Sequence, residues 1–195
     1  YRDVQTILAL TARKDMGTGT VSGTTWSNNQ DLGWNGVGMH FSDDFGFGMV
    51  DAAAAVRMAE TWTPGSSTAE YTNSVAAQAD ALPDMGQRTL SFFVDKHVGA
   101  EQALLHLSVG HTRWSDLVVT LISPSGTRSV LLDRPGLAGH IANPSGATLL
   151  DVDLMSVQFR GEDTYGNWQL VIEDKAAGNA GLGGVRASLQ VAGTS

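Results

Sequence analysis

The chain has 195 residues, 42% of them hydrophobic and 16% charged, with 23 glycines, no cysteine and a formal net charge of −8 at pH 7. The negative balance excludes a general grip on a phosphate backbone. The lack of cysteine excludes disulfides, thiolate metal sites and a cysteine nucleophile, and no apolar run approaches the roughly 18 residues of a membrane helix. Low charge with abundant glycine suits strands joined by tight turns better than a helical bundle. The opening Tyr1-Arg2-Asp3 carries no signal-peptide pattern, which reads as a fragment or a processed product.

Val4, Ile7, Leu8 and Thr11 recur at helical spacing, so residues 2–13 read as a helix with Asp3 near its positive end. Gly17, Gly19 and Gly23 break that pattern, and residues 26–38 read as a polar loop containing Asn28, Asn29 and Asn35. Asp51 is a candidate N-cap for a second helix over residues 51–62, whose alanines permit close packing. Pro64-Gly65-Ser66-Ser67-Thr68 is the best linker in the chain. Beyond it the period becomes alternating, and strands are expected over residues 89–95, 103–109, 117–123, 128–132, 149–159, 168–173 and 185–191. Pro124-Ser125-Gly126, Pro135-Gly136, Tyr165-Gly166-Asn167 and the glycines of residues 178–184 separate them. Several short strands at regular spacing predict an antiparallel sandwich or barrel. Residues 1–62 hold little beyond two helices and a loop, so their apolar faces need a neighbour to cover them.

The first part carries Tyr1-Arg2-Asp3-Val4-Gln5-x-Ile7-Leu8, then Trp34-Asn35-Gly36-Val37-Gly38, then Phe41-Ser42-x-x-Phe45-Gly46-Phe47-Gly48-x-Val50-Asp51-Ala52. These residues resemble the end of a subtilisin-type catalytic domain of the kexin/furin branch. The second part carries His111-x-x-x-Ser115-Asp116-Leu117, Leu121-x-Ser123-Pro124-Ser125-Gly126-Thr127, Gly161-Glu162, Gly166-Asn167-Trp168-x-Leu170 and Leu189-x-Val191-x-Gly193-Thr194. This set resembles the P domain (Homo B domain) that follows such catalytic domains.

The resemblance implies a mainly β chain. Residues 1–63 would be the C-terminal remnant of a subtilisin-like α/β domain, residues 64–68 a linker, and residues 69–195 a P domain folded as an antiparallel β jelly roll. It implies a parent that is a secreted, calcium-dependent serine endopeptidase acting on protein and peptide substrates. The P domain would stabilise and regulate its partner, the chain's own upstream catalytic domain. The family's Gly-Thr-Ser-x-x-x-Pro nucleophile motif does not occur here, nor do the motifs of its catalytic Asp and His. No catalytic residue is therefore assigned, and the chain alone is expected to be inactive. The alternative is a carbohydrate- or protein-binding jelly-roll module.

Other chemistry is thinly supported. The histidines are His40, His97, His106, His111 and His140. His106 alternates with Leu105 and Leu107 and should face away from them. His111 with Ser115 and Asp116 could suggest a triad, but hydroxyl and carboxylate side chains bonding loop amides explain them more simply. There is no G-x-S-x-G elbow and no H-E-x-x-H. Calcium takes six to eight oxygens. Asp151-x-Asp153 would place two carboxylates on one strand face, read as a solvated face. Asp116 and Glu162, both turn-adjacent and on motif positions, are the candidate calcium ligands. A sugar platform needs exposed aromatics, and Trp114 is the one loop tryptophan of the second part, Trp168 reading as core. The Phe41, Phe45 and Phe47 cluster reads as packing.

Overall fold

The computed structural model describes residues 1–15, 24–66, 68–135, 143, 147–179 and 181–194. The expected turn glycines Gly17, Gly19, Gly23 and Gly136, linker residue Ser67, and His140 lie outside the described residues. The N-terminal segment opens with helix α1 (Arg2–Thr11). Strand β1 (Ser27–Asn28), the short helix α2 (Leu32–Asn35) and strand β2 (His40–Phe41) follow, then helix α3 (Ala52–Glu60). Asp51 caps α3 as expected, its Oδ1 accepting the Ala54 N–H at 2.9 Å. Both helices end slightly earlier than their apolar period suggests.

Residues 26–38 are not a plain loop. β1 pairs antiparallel with β2, Ser27 opposite Phe41 and Asn28 opposite His40. The asparagines supply the local order: Asn28 Nδ2 donates to the Val37 carbonyl at 2.9 Å, and Asn35 Oδ1 accepts the Val37 N–H at 2.9 Å.

The rest is an antiparallel sandwich. Its strands are β3 (Glu70–Tyr71), β4 (Val75–Ala79), β5 (Gln87–Val94), β6 (Gly99–His111), β7 (Leu117–Ile122), β8 (Arg128–Asp133), β9 (Leu149–Ser156), β10 (Gly166–Asp174) and β11 (Gly181–Thr194). One sheet runs β5-β10-β7-β8; the other runs β11-β6-β9 with β3 and β4 both paired to the outer side of β11. Each expected strand is present. β3 and β4 are additional: the Val-Ala-Ala-Gln-Ala of β4 offers little β-branched signal, and its pairing along β11 from Val185 to Leu189 makes it a strand. The strand expected over residues 149–159 stops at Ser156, and the chain then turns across the end of the sandwich.

Alternation fills the space between the sheets. Leu90, Phe92 and Val94 of β5 and Trp168, Leu170 and Ile172 of β10 are almost wholly buried, as are Leu105, Leu107 and Val109 of β6 and Leu189 and Val191 of β11. Each such side chain contributes about 1.5–3 kcal/mol by leaving water. Trp168 lies at the centre, as its apolar surroundings predict. Its Nε1–H donates to the Thr164 carbonyl at 2.9 Å, and its ring meets Phe159 edge-on at 4.9 Å. Among the described residues no helix is long and apolar enough to cross a membrane.

Candidate functional site

The N-terminal segment meets one end of the sandwich, and the polar chemistry of the molecule concentrates in that seam. Its centre is Glu162, which is 2% exposed. Oε2 accepts the hydroxyls of Ser123 and Ser125, both at 2.6 Å, and Oε1 accepts the Thr127 hydroxyl. The fourth donor comes from the N-terminal segment: the Gln30 N–H reaches Oε1 at 2.8 Å and the Thr127 Oγ1 at 3.1 Å. The turn between β7 and β8 gathers these hydroxyls because Ser123 and Thr127 flank its Pro-Ser-Gly corner, closed by Ser123 N–H to Thr127 O at 2.9 Å. A buried carboxylate is tolerated only when its oxygens are satisfied, and here the satisfaction comes from both parts of the chain.

Asn29 extends the seam. It is fully buried, with Nδ2 donating to the carbonyls of Gln158 and Arg160 at 3.0 and 2.8 Å. Its Oδ1 accepts the N–H groups of Met39 at 2.8 Å and Asp31 at 3.2 Å. Two glycines let the backbones come this close. A Cβ on Gly38 (φ +77°) would stand 1.9 Å from the Asn29 carbonyl oxygen, and one on Gly161 (φ +85°) would stand 2.1 Å from Asp31 Oδ2. Burial pushes the Asp31 carboxyl above the usual range, the Gly33 N–H opposes this, and the nearby Glu162 charge adds to the rise.

Along the same seam, α1 is pinned to the sandwich. Arg2 Nε lies 3.1 Å from each Glu101 carboxylate oxygen, and its Nη2 donates to the Gly193 carbonyl at 2.6 Å. Arg160 Nη1 donates to the Thr6 hydroxyl at 3.2 Å. Asp3 Oδ1 ties α1 to the start of the linker by accepting Trp62 Nε1–H and Gly65 N–H, each at 3.0 Å.

Asp116 and Glu162 do not meet. Asp116 immediately precedes β7 and the Ser123 partner of Glu162 immediately follows it, so about 20 Å of strand separates them. Glu162 is enclosed by hydroxyl and amide donors, while the Asp116 carboxylate accepts Asn179 Nδ2–H at 3.3 Å. Among the described residues no group of three or more His, Asp or Glu side chains could hold a metal ion. Asp116 and Glu162 are therefore too far apart to share one ion in this geometry.

The remaining candidates take structural positions. His111 is buried beside Asp174, with Nε2 3.3 Å from Oδ2 and Nδ1 2.7 Å from the Arg113 carbonyl, so its ring turns to the loop backbone as expected and not to Ser115. His106 does face outward from β6. Its Nδ1 lies 2.8 Å from Asp153 Oδ1 and its Nε2 3.5 Å from Asp151 Oδ1, both carboxylates sharing one face of β9. The hydrogen bond to Asp153 raises its pKa against a smaller opposing effect of burial. Trp114 is half-buried, with its Nε1 enclosed. An exposed ring group that no sequence motif marks sits elsewhere: Tyr165 stacks on His97 at 4.3 Å and meets Phe93 edge-on at 5.6 Å. Phe41 and Phe47 pack on each other at 5.3 Å, while Phe45 is partly exposed.

Residues 100–183 match the family model described as the proprotein convertase P-domain. The chain is 35% identical over 167 residues to the endoprotease bli-4 of Caenorhabditis elegans, an alignment covering 80% of this chain and 17% of that protein. The chain carries a P domain of the subtilisin-like proprotein convertase kind. Other relatives in or near the family are furin of Bos taurus, 32% identical over 78% of this chain and 19% of that protein, and the Aeromonas extracellular serine protease of Aeromonas sobria, 32% identical over 75% and 26%. The chain thus spans about a fifth to a quarter of the length of these curated relatives. The crystal structure of the Aeromonas sobria serine protease superposes with a TM-score of 0.77 at 24% identity, covering 98% of this chain and 40% of that one, which establishes the fold. The P-domain match includes β6 to β10, and so contains Glu162 and its hydroxyl partners.

Proposed function

We propose that this chain is the C-terminal part of a secreted subtilisin-type serine endopeptidase. Residues 1–63 are the end of its catalytic domain, residues 64–68 the linker, and residues 69–195 a jelly-roll P domain that stabilises the catalytic domain. The observation that carries this is the buried Glu162 carboxylate, which accepts donors from the sandwich and from Gln30 of the N-terminal segment together.

Docking of this kind exists only when the catalytic domain is folded. Any interface that binds the folded state alone raises its stability. The sandwich folds around its own core and offers a fixed set of acceptors: Glu162, the Gln158 and Arg160 carbonyls, and Glu101. The N-terminal segment answers with Gln30, Asn29 and Arg2. Peptide cleavage itself would be acyl transfer by a Ser-His-Asp set in the upstream part, and no residue of this chain carries a catalytic role.

The test uses the full-length parent enzyme. Deleting residues 69–195, or introducing Glu162→Ala, should lower the melting temperature and reduce active-site labelling by a fluorophosphonate probe. A deleted parent that melts unchanged and labels fully would contradict the proposal.

A further inference from the structure

Aromatic rings are costly to leave in water, and three stand together in it here. Phe93 lies near the end of β5 on its outer face, His97 between β5 and β6, and Tyr165 in the turn before β10. Phe93 and Tyr165 are 51% and 46% exposed, and the His97 side chain is 68% exposed. The His97 and Tyr165 rings are stacked within 8° of parallel, their centroids 4.3 Å apart. Phe93 meets Tyr165 at 76°, with centroids 5.6 Å apart. The group therefore turns ring faces in two directions around one corner. None of the three belongs to the buried core, which closes without them.

The neighbours of these rings are polar and held in place. Asp163 Oδ2 lies 2.7 Å from His97 Nδ1, and its Oδ1 accepts the Tyr165 N–H at 3.1 Å. The Asp163 side chain is itself 58% exposed, so its remaining lone pairs face solvent. Asn167 is the cross-strand partner of Phe93, and Gln169, two residues further along β10, shares its face of the sheet. Both amides are exposed. With Nδ1 engaged by Asp163, His97 keeps Nε2 for a ligand. An apolar protein patch would surround its rings with aliphatic side chains. Here ring faces alternate with two amides and a carboxylate on an open sheet surface. A hydroxyl, donor and acceptor at once, suits an amide, a carboxylate lone pair and either protonation state of His97 alike.

We propose that this corner is a carbohydrate-binding site for a neutral, β-linked chain of glucose or N-acetylglucosamine units. A sugar ring of that configuration carries its substituents equatorially and so offers a flat face of axial C–H groups on each side. Such a face packs on an aromatic ring, while the hydroxyls at its rim reach Asp163, Asn167, Gln169 and His97 Nε2. The site goes beyond the stabilising role of the sandwich. It stands on the ring group and its polar neighbours, and either reading can fail without the other.

The experiment is a two-dimensional amide NMR titration of the full 195-residue chain with cellohexaose, laminarihexaose and chitohexaose as probes. At least one should bind with a Kd below about 1 mM, its shifts concentrated at residues 93–98 and 163–169. The affinity should stay within about twofold at tenfold higher NaCl, since no charge is neutralised. Tyr165→Ala and Phe93→Ala should each weaken binding by about tenfold without lowering Tm. Tyr165→Phe keeps the ring and should retain binding. The absence of shifts with all three probes at about 5 mM would overturn the site, as would shifts confined to another face. An affinity that Tyr165→Ala leaves unchanged would also overturn it, and so would one that salt abolishes, because that marks a charge-driven contact. Should the alanine variants fail to fold, Gln169→Ala on the exposed sheet face decides: an affinity equal to the wild type's contradicts the site.

Discussion

The sandwich and the N-terminal segment are held together by different forces. In the sandwich, alternating side chains close on one another, and Phe92, Leu107, Trp168 and Leu189 are each 0% exposed. In the N-terminal segment Val4, Val50 and Val56 remain 56%, 55% and 62% exposed, and its α1 and α3 are only 10 and 9 residues long. Helices of that length are marginal in water without packing. What fixes the segment is a set of buried polar contacts with the sandwich end: Gln30 to Glu162, Asn29 to two carbonyls, and Arg2 to Glu101. One region carries its own stability, while the other borrows it through a few directional bonds and leaves these valines exposed.

Removing the centre of the self-sufficient region should have the largest effect. Trp168→Ala leaves a cavity between the sheets and should cost about 3–5 kcal/mol. Urea unfolding should show both regions lost together, because the segment has nothing left to dock on. Next comes Glu162→Ala, which strands three hydroxyls and the Gln30 N–H and should cost about 3 kcal/mol. Here the two regions should part: near-UV signals of the N-terminal tryptophans should weaken while those of the sandwich core persist.

Gly161→Ala should cost about 1–2 kcal/mol, since it places an L-residue at φ +85° and drives a methyl toward Asp31. Its effect should likewise fall on the segment, seen as faster proteolysis between residues 24 and 50. Asp31→Asn should act in the opposite sense. The folded-state pKa of Asp31 is raised, so its ionised form is disfavoured there; the amide should raise the melting temperature slightly at pH 7 and lose that advantage as pH falls and Asp31 protonates.

The smallest effect belongs to the outer sheet face. His106 has a folded pKa above its usual 6.5. Its contribution is therefore full below about pH 6.5 and fades as pH rises through the folded value. His106→Gln should remove a slight acid-side stabilisation and leave the melting temperature at pH 8.5 unchanged.

The same contrast explains what the sequence discloses. The alternation of Leu90, Phe92 and Val94, or of Trp168, Leu170 and Ile172, states a strand and its buried face together. Asp51 states its helix start. β4 stays hidden because alanines carry no strong period, and its pairing with β11 supplies the missing information. In the seam, Ser123, Ser125, Thr127 and Glu162 stand out as motif residues, yet their convergence on one carboxylate is long-range and leaves no local pattern. The cluster of hydroxyls around Pro124-Ser125-Gly126 is the one local signal, and it points to a turn. The sequence marks Glu162 as special without revealing what it binds, because a carboxylate that holds calcium and one that accepts hydroxyls have the same local signature.

Hydrogen exchange followed by mass spectrometry tests the borrowed stability of the segment most directly. In the native chain, peptides covering residues 24–41 should be protected alongside those of β7 and β10. In Glu162→Ala the protection of residues 24–41 should fall by about a hundredfold, the equivalent of roughly 3 kcal/mol, with β5 and β10 unaltered. Residues 24–41 exchanging equally slowly in both proteins, or unprotected in both, would contradict a seam held by Glu162.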